Sequence, residues 1–219
     1  MKVDIEGAEK AFERIHVLLQ GIPGGVEKAM RGVIDRARDA ANSKTIKGIT
    51  SVYDIKTGDL KDGKYSKIDV RTRMASGEIV GMITFSGTKI PLYRFGVTPK
   101  TLQRQKKAAL VSIGGEKKWV KPSVPIRYRT MKSESYSKND NYFIAKMKNP
   151  KGKDHTGVFE RLGTKDNGDS IIREVTSHSI AQMAQNSDVL DDVQAAVFET
   201  IEKRAEHEIH RILQGYGMK

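Results

Sequence analysis

The chain has 219 residues, 37% hydrophobic and 30% charged, with 39 Lys or Arg against 27 Asp or Glu and no cysteine. This is the composition of a globular protein, neither disordered nor fibrous. The missing cysteine excludes disulfides, thiol catalysis and thiolate metal sites. Met1–Gly7 lacks an apolar core of signal-peptide length, and no run approaches the roughly 20 apolar residues of a membrane span, so neither route is expected.

In chain order, Ile5, Ala8, Phe12, Ile15 and Leu19 recur at three- and four-residue spacing, which predicts a helix. Gly21–Gly25 breaks it, and Pro23 introduces a second helix with the stripe Val26, Met30, Val33, Ala37 and Ala40. From about Lys64 the period falls to two. Ile68 and Val70, then Ile79–Phe85, then Ile90–Tyr93 after Ser86-Gly87-Thr88, predict strands with at least one hairpin. Further strands are expected at Ala109–Ile113, Val124–Tyr128, Tyr142–Met147 and Gly157–Leu162. The polar runs Ser133–Asn141 and Asn149–Thr156 read as exposed, mobile loops. A last helix starts near Asp188, with Asp191 in capping-box position, carries Val193, Val197, Ile201, Ala205, Ile209 and Ile212, and stops at Gly215.

The expected architecture is therefore α+β. An antiparallel β-sheet packs against long N-terminal and C-terminal helices, with extended mobile loops, in a single domain over 1–219. Its parts are a helical hairpin over 1–45, a sheet with basic loops over 64–165 and the C-terminal helix over 188–215.

Motifs for chemistry are weak. Gly58–Lys64 has phosphate-loop spacing, but Tyr65 stands where Ser or Thr would hold magnesium, the following residues alternate like a strand, and two acidic residues inside the loop repel phosphate. His207-Glu208-Ile209-His210 spaces its histidines three apart where a zinc-protease helix needs four. His16, His155 and His178 are scattered, and no Gly-x-Ser-x-Gly turn is present. No catalytic residue, cofactor or metal site is expected. Dispersed carboxylates that meet in space to hold magnesium, as in a nuclease, stay open as a third reading.

Charge is the most informative feature. Between Val97 and Lys153 there are 15 Lys or Arg against 3 Asp or Glu, a surplus equal to the +12 of the whole chain. The candidate interaction surface is Arg104, Lys106, Lys107, Lys117, Lys118, Arg127 and Arg129, interleaved with Trp119, Tyr128 and Tyr136. Such a surface tracks a phosphate backbone, stacks on bases or docks on an acidic neighbouring subunit.

Several short motifs, in order, carry a resemblance. They are the paired N-terminal helices with their Gly-Pro joint, Tyr53-Asp54-Ile55-Lys56, Lys89-Ile90-Pro91-Leu92-Tyr93-Arg94-Phe95 and Val158-Phe159-Glu160-Arg161-Leu162-Gly163. Ile172-Arg173-Glu174-Val175, Ser179-Ile180-Ala181-Gln182-Met183 and Lys203-Arg204-Ala205-Glu206-His207-Glu208-Ile209 follow. This layout resembles the minor tail protein Z family of tailed bacteriophages, related to tail-completion proteins, over most of the chain. The resemblance implies a non-enzymatic virion protein, assembled in the bacterial host cytoplasm and acting in tail assembly and head-to-tail joining. It also implies a homo-oligomeric ring, a hexamer, that contacts the tail terminator, tail tube or neck proteins, with genomic DNA in the channel and no membrane. A sequence-independent nucleic-acid-binding protein is the alternative.

Overall fold

The computed structural model describes residues 2–4, 8–61, 65, 67–75, 78–101, 109–113, 116–120, 125–147, 154–168 and 170–217. The fold is α+β with antiparallel strands, as expected. Among the described residues its strands form four small sheets rather than one, and its contacts gather the chain into two compact units.

The first unit comprises Met1–Val52, Thr57–Thr88 and His178–Lys219. It contains β1 (Lys2–Asp4), α1 (Glu9–Leu19), α2 (Gly25–Val52), α3 (Thr57–Leu60), β2 (Lys67–Ala75) and β3 (Glu78–Ser86). Two later helices, α4 (Ile180–Met183) and α5 (Ser187–Gly217), complete it. Of the stripe predicted for α1, Ala8, Phe12, Ile15 and Leu19 are buried, and Ala11 joins them. Ile5, expected in that helix, lies outside the described residues.

Helix α2 is longer than the expected hairpin arm. Beyond residue 45 the composition is poor for helix, with Thr45, Gly48, Thr50 and Ser51. There the hydroxyls of Thr50 and Ser51 donate back to the Ile46 and Gly48 carbonyls, and Ile46, Gly48 and Ile49 are buried, so packing overrides propensity.

The packing partner is α5. Its buried face runs Val189, Val193, Val197, Ile201, Ala205 and Ile209, at the four-residue spacing of one helical stripe. Gly48 faces Val189 and Gly32 faces Glu208, so the two helices run antiparallel. A Cβ at Gly48 would sit 3.1 Å from the Val189 Cγ1. One at Gly32 would sit 2.9 Å from the Glu208 carboxyl carbon. Each glycine thus marks a place where α5 lies against the α2 backbone. Glu208, only 7% exposed, accepts from Arg211 Nε at 2.8 Å, so its charge is paired where it is buried.

The start of α5 differs in detail from expectation. Asn186, not Asp188, caps it, with its side-chain oxygen accepting from the Asp188 amide at 3.0 Å. A capping box does occur, but on α4, where Ser179 and Gln182 bond reciprocally. Strands β2 and β3 pair from Lys67↔Ser86 to Ala75↔Glu78, and β1 adds to the far edge of β3.

The second unit comprises Tyr53–Lys56 and Lys89–Ser177. One sheet joins β4 (Gly96–Thr98), β7 (Ile126–Arg129) and β8 (Ser137–Asn139). Another joins β9 (Tyr142–Met147), β10 (His155–Thr164) and β11 (Ser170–Glu174). A separate ribbon pairs β5 (Ala109–Ile113) with β6 (Glu116–Val120). Leu92, Val97, Ile126, Ile144 and Val158 form a core drawn from both three-stranded sheets, with Tyr93, Tyr128, Tyr142 and Val175 against it.

Three segments depart from the sequence expectation. Ile90–Tyr93 is not a strand: Pro91 bridges to Thr176 and a 3-10 turn follows over Leu92–Arg94, because proline removes a ladder donor. The run Ser133–Asn141 is not all loop, since it contains β8. Of the second expected loop, 149–153 lies outside the described residues, and His155 and Thr156 already belong to β10.

Thr45 Oγ1 is buried without a hydrogen-bond partner, a state that costs about 1–3 kcal/mol. Thr45→Val should therefore raise the urea midpoint of unfolding. Gly48→Leu should lower stability by about 1–3 kcal/mol through overpacking. Equal midpoints for the two variants would contradict this account of the α2–α5 contact.

Burial pushes the Tyr142 phenol above its ordinary value, and Tyr128 and Glu160 add to the rise. The unfolded chain releases this proton first, so the stabilisation is complete below about pH 10 and is lost as pH rises through the folded value. Stability measured against pH should fall on the alkaline side, and Tyr142→Phe should make that fall shallower. An unchanged alkaline slope in the variant counts against it.

Candidate interaction surface

Strand β7 alternates. Ile126 and Tyr128 belong to the core, while Arg127 and Arg129 occupy the other face. Register then arranges that outer face in two rows. In one, Thr98, Arg127 and Lys138 lie side by side on β4, β7 and β8. In the other, Arg129 lies opposite Gly96, with Tyr136 just ahead of β8.

The second row is committed to structure. The Asp54 amide donates to the Thr130 carbonyl at 2.9 Å, and its carboxylate accepts from Arg129 Nε at 2.6 Å. Gly96 has no side chain where that carboxylate rests. The Arg129 guanidinium also stacks 4.9 Å from the centroid of the Tyr136 ring. The hydrogen bond from Arg129 to Asp54 raises the Arg129 pKa above its ordinary value, so this side chain stays cationic but spends its charge internally. Glu134 closes the adjoining turn, accepting from the Thr130 hydroxyl at 3.0 Å and the Met131 amide at 3.1 Å.

The first row is different. Arg127 and Lys138 are exposed cations directly opposite each other on neighbouring strands, an arrangement that costs stability. Lys138 has Asp140 at 3.5 Å, in an exposed pair that contributes little. Arg127 makes no ion pair among the described residues. Nearby in sequence, exposed Lys100 lies 5.8 Å from the Tyr93 ring centroid, and the Tyr93 hydroxyl donates to the Lys100 carbonyl at 3.1 Å.

Of the seven residues expected to form the surface, the structure brings Arg127 and Arg129 onto one face and assigns Arg129 to Asp54. Lys117 and Lys118 lie in the separate ribbon, at register positions opposite Ser112 and Val111. Arg104, Lys106 and Lys107 lie outside the described residues. Sequence reasoning missed Lys138, hidden in a run read as loop, and Asp54, which is 75 residues from its partner.

Charge follows the division of the chain. The first unit holds 18 Lys or Arg against 18 Asp or Glu, and the second holds 21 against 9. The entire surplus of +12 therefore belongs to the second unit.

The motifs weighed for chemistry have structural settings of their own. Gly58–Leu60 lies in the short helix α3, and the residues from Lys67 onward form strand β2. On α5, Glu206 pairs with Arg14 at 3.2 Å and Glu208 with Arg211. His155 and Glu174 pair at 2.5 Å beside Gly157 on the β9–β10–β11 sheet. Among the described residues no group of three or more His, Asp or Glu is placed to hold a metal ion, and no helix is long and apolar enough to cross a membrane. Comparison with models of protein families, with curated proteins and with solved structures finds no match.

Asp54→Asn keeps the side-chain shape but removes the charge that holds Arg129. Amide hydrogen exchange in β7 and at residue 54 should accelerate, while α2 and α5 keep their protection. Arg129→Lys should produce the same acceleration, because a point charge does not replace the guanidinium against Asp54 and Tyr136. Unaltered β7 protection in both variants is the contrary result.

Proposed function

We propose that the chain is a structural virion subunit of a tailed bacteriophage or prophage, a minor tail or tail-completion protein of the protein Z type. In this reading it acts in tail assembly and head-to-tail joining, as part of a homo-oligomeric ring beside tail terminator, tail tube or neck proteins. The observation that carries it is the charge partition: one unit of zero net charge and a second with the whole +12. A subunit seated between different neighbours needs one attractive face and otherwise neutral ones. The ordered motifs support the same reading, with Tyr53–Lys56, Lys89–Phe95 and Val158–Val175 in the charged unit and Ser179–Met183 and Lys203–Ile209 in the neutral one.

The alternative, sequence-independent nucleic-acid binding, is favoured by cations interleaved with aromatics. Here, however, Tyr136 and Tyr93 already carry Arg129 and Lys100 over their rings. Base stacking has to displace those cations first, which makes a protein partner the better fit.

The test is Arg127→Glu/Lys138→Glu in the virus that carries the gene. Both side chains are exposed, so the fold should survive. Micrographs of lysates should show heads and tails accumulating unjoined, and the wild-type protein should be found in purified particles. Normal particle yield from the variant, or wild-type protein that binds duplex DNA with affinity falling steeply between about 50 and 200 mM salt, favours the alternative.

A further inference from the structure

The Arg127–Lys138 row needs carboxylates about as far apart as its own two cations. Opposed residues on antiparallel strands have Cα atoms about 4.5–5.5 Å apart. Successive residues on one face of a helix, three or four apart in sequence, have Cβ atoms about 5–6 Å apart. An acidic helix face therefore matches this row.

The chain itself carries such a face. Helix α5 holds 7 Asp or Glu against 3 Lys or Arg. Asp188, Asp192, Ala195, Glu199, Glu202 and Glu206 recur at alternating four- and three-residue spacing and are all exposed. Ala195 alone among them is neutral, and its small side chain leaves the carboxylates on either side unobstructed. At 100° per residue this row lies opposite the buried stripe centred on Val197, so it points away from the helices that α5 packs on. From Asp188 to Glu206 it runs about 27 Å. Glu199 is held below its ordinary value by the hydrogen bond from Lys203 and is tied to it, and Glu206 is tied to Arg14. Asp188, Asp192 and Glu202 have no ion pair among the described residues.

We infer that the acidic outer face of α5 in a second copy of this chain docks on the Arg127–Lys138 row of the β4–β7–β8 sheet. The inference rests on reading that sheet face as an assembly surface. It fixes the symmetry of the contact. Each face repels its own kind, so a two-fold contact through either one is disfavoured. Unlike faces join head to tail, and such contacts close into a ring or extend into a filament.

Sedimentation velocity on the full-length protein tests this. At ~0.1 mM protein, the wild type should associate in 0.1 M NaCl and dissociate in 1 M, where the screening length drops from about 10 to 3 Å. Arg127→Glu/Lys138→Glu and, separately, Asp192→Lys/Glu202→Lys should each sediment as a monomer in 0.1 M NaCl. Neither pair of substitutions breaks an ion pair that holds the fold, and circular dichroism should confirm intact helices. Mixed one to one, the two variants still have one intact face each. The wild-type faces meet across the mixture and so do the two reversed ones, so the mixture should form dimers and larger species, with an association constant at least tenfold above that of either variant alone.

A wild type that stays monomeric in 0.1 M NaCl, an α5 variant that associates as the wild type does, or a mixture that fails to dimerise overturns the inference. These failures are separable from failure of the assembly reading. If only the sheet variant loses incorporation into particles, the face is an assembly surface for another partner. If that variant instead loses duplex DNA binding and still enters particles, the assembly reading itself fails.

Discussion

The first unit depends on how closely α5 lies along α2. Gly48 receives Val189 and Gly32 receives Glu208, at separations where a methyl group would already crowd its neighbour. That approach buries the stripe from Val189 to Ile209 on one side of α5. The other side of α5 is left free to carry charge. A helix with its apolar residues confined to one face has no structural need for any particular residue opposite. The acidic stripe is therefore a choice the fold permits and does not require.

The second unit is built on a different principle. One cluster of its core is Leu92, Val97, Ile126, Ile144 and Val158, with Tyr93, Tyr128 and Tyr142 packed against it. Arg129, Asp54 and Tyr136 add a polar clasp that ties the Tyr53–Lys56 segment to β7. Within that framework Arg127 and Lys138 stand opposite each other at a cost in stability. Such a pairing is intelligible when a partner supplies the missing negative charge. Cations that the fold needs, such as Arg129 and Arg211, already have carboxylates beside them.

Much of the first unit was legible because its elements obey a single period. The stripe of α1 and the stripe of α5 are regular, and the sequence places both helices to within a few residues. The end of α2 was not legible, because Thr45, Gly48, Thr50 and Ser51 are poor helix formers, and it is the burial of Ile46, Gly48 and Ile49 that keeps this stretch helical. In the second unit, Ala109–Ile113 and Tyr142–Met147 match their strands, since alternation is local. Strands β4, β6, β8 and β11 escaped: β4 and β8 are three residues long, β6 is mostly charged, and β11 sets Ile171 and Ile172 side by side where alternation would separate them. The candidate surface was half visible. Composition locates the charge between Val97 and Lys153, but only cross-strand register separates Arg127, which has no ion pair among the described residues, from Arg129, which Asp54 holds.

The central claim is that the exposed cations of the β4–β7–β8 face meet protein carboxylates. Zero-length carbodiimide cross-linking of equal amounts of 14N- and 15N-labelled protein, read by mass spectrometry, addresses it most directly, because it joins lysine amines only to carboxylates in contact. The account predicts mixed-isotope peptides linking Lys138 to Asp188, Asp192 or Glu202, abolished by 1 M NaCl. Lys138 linked only within its own chain, to Asp140, would contradict it.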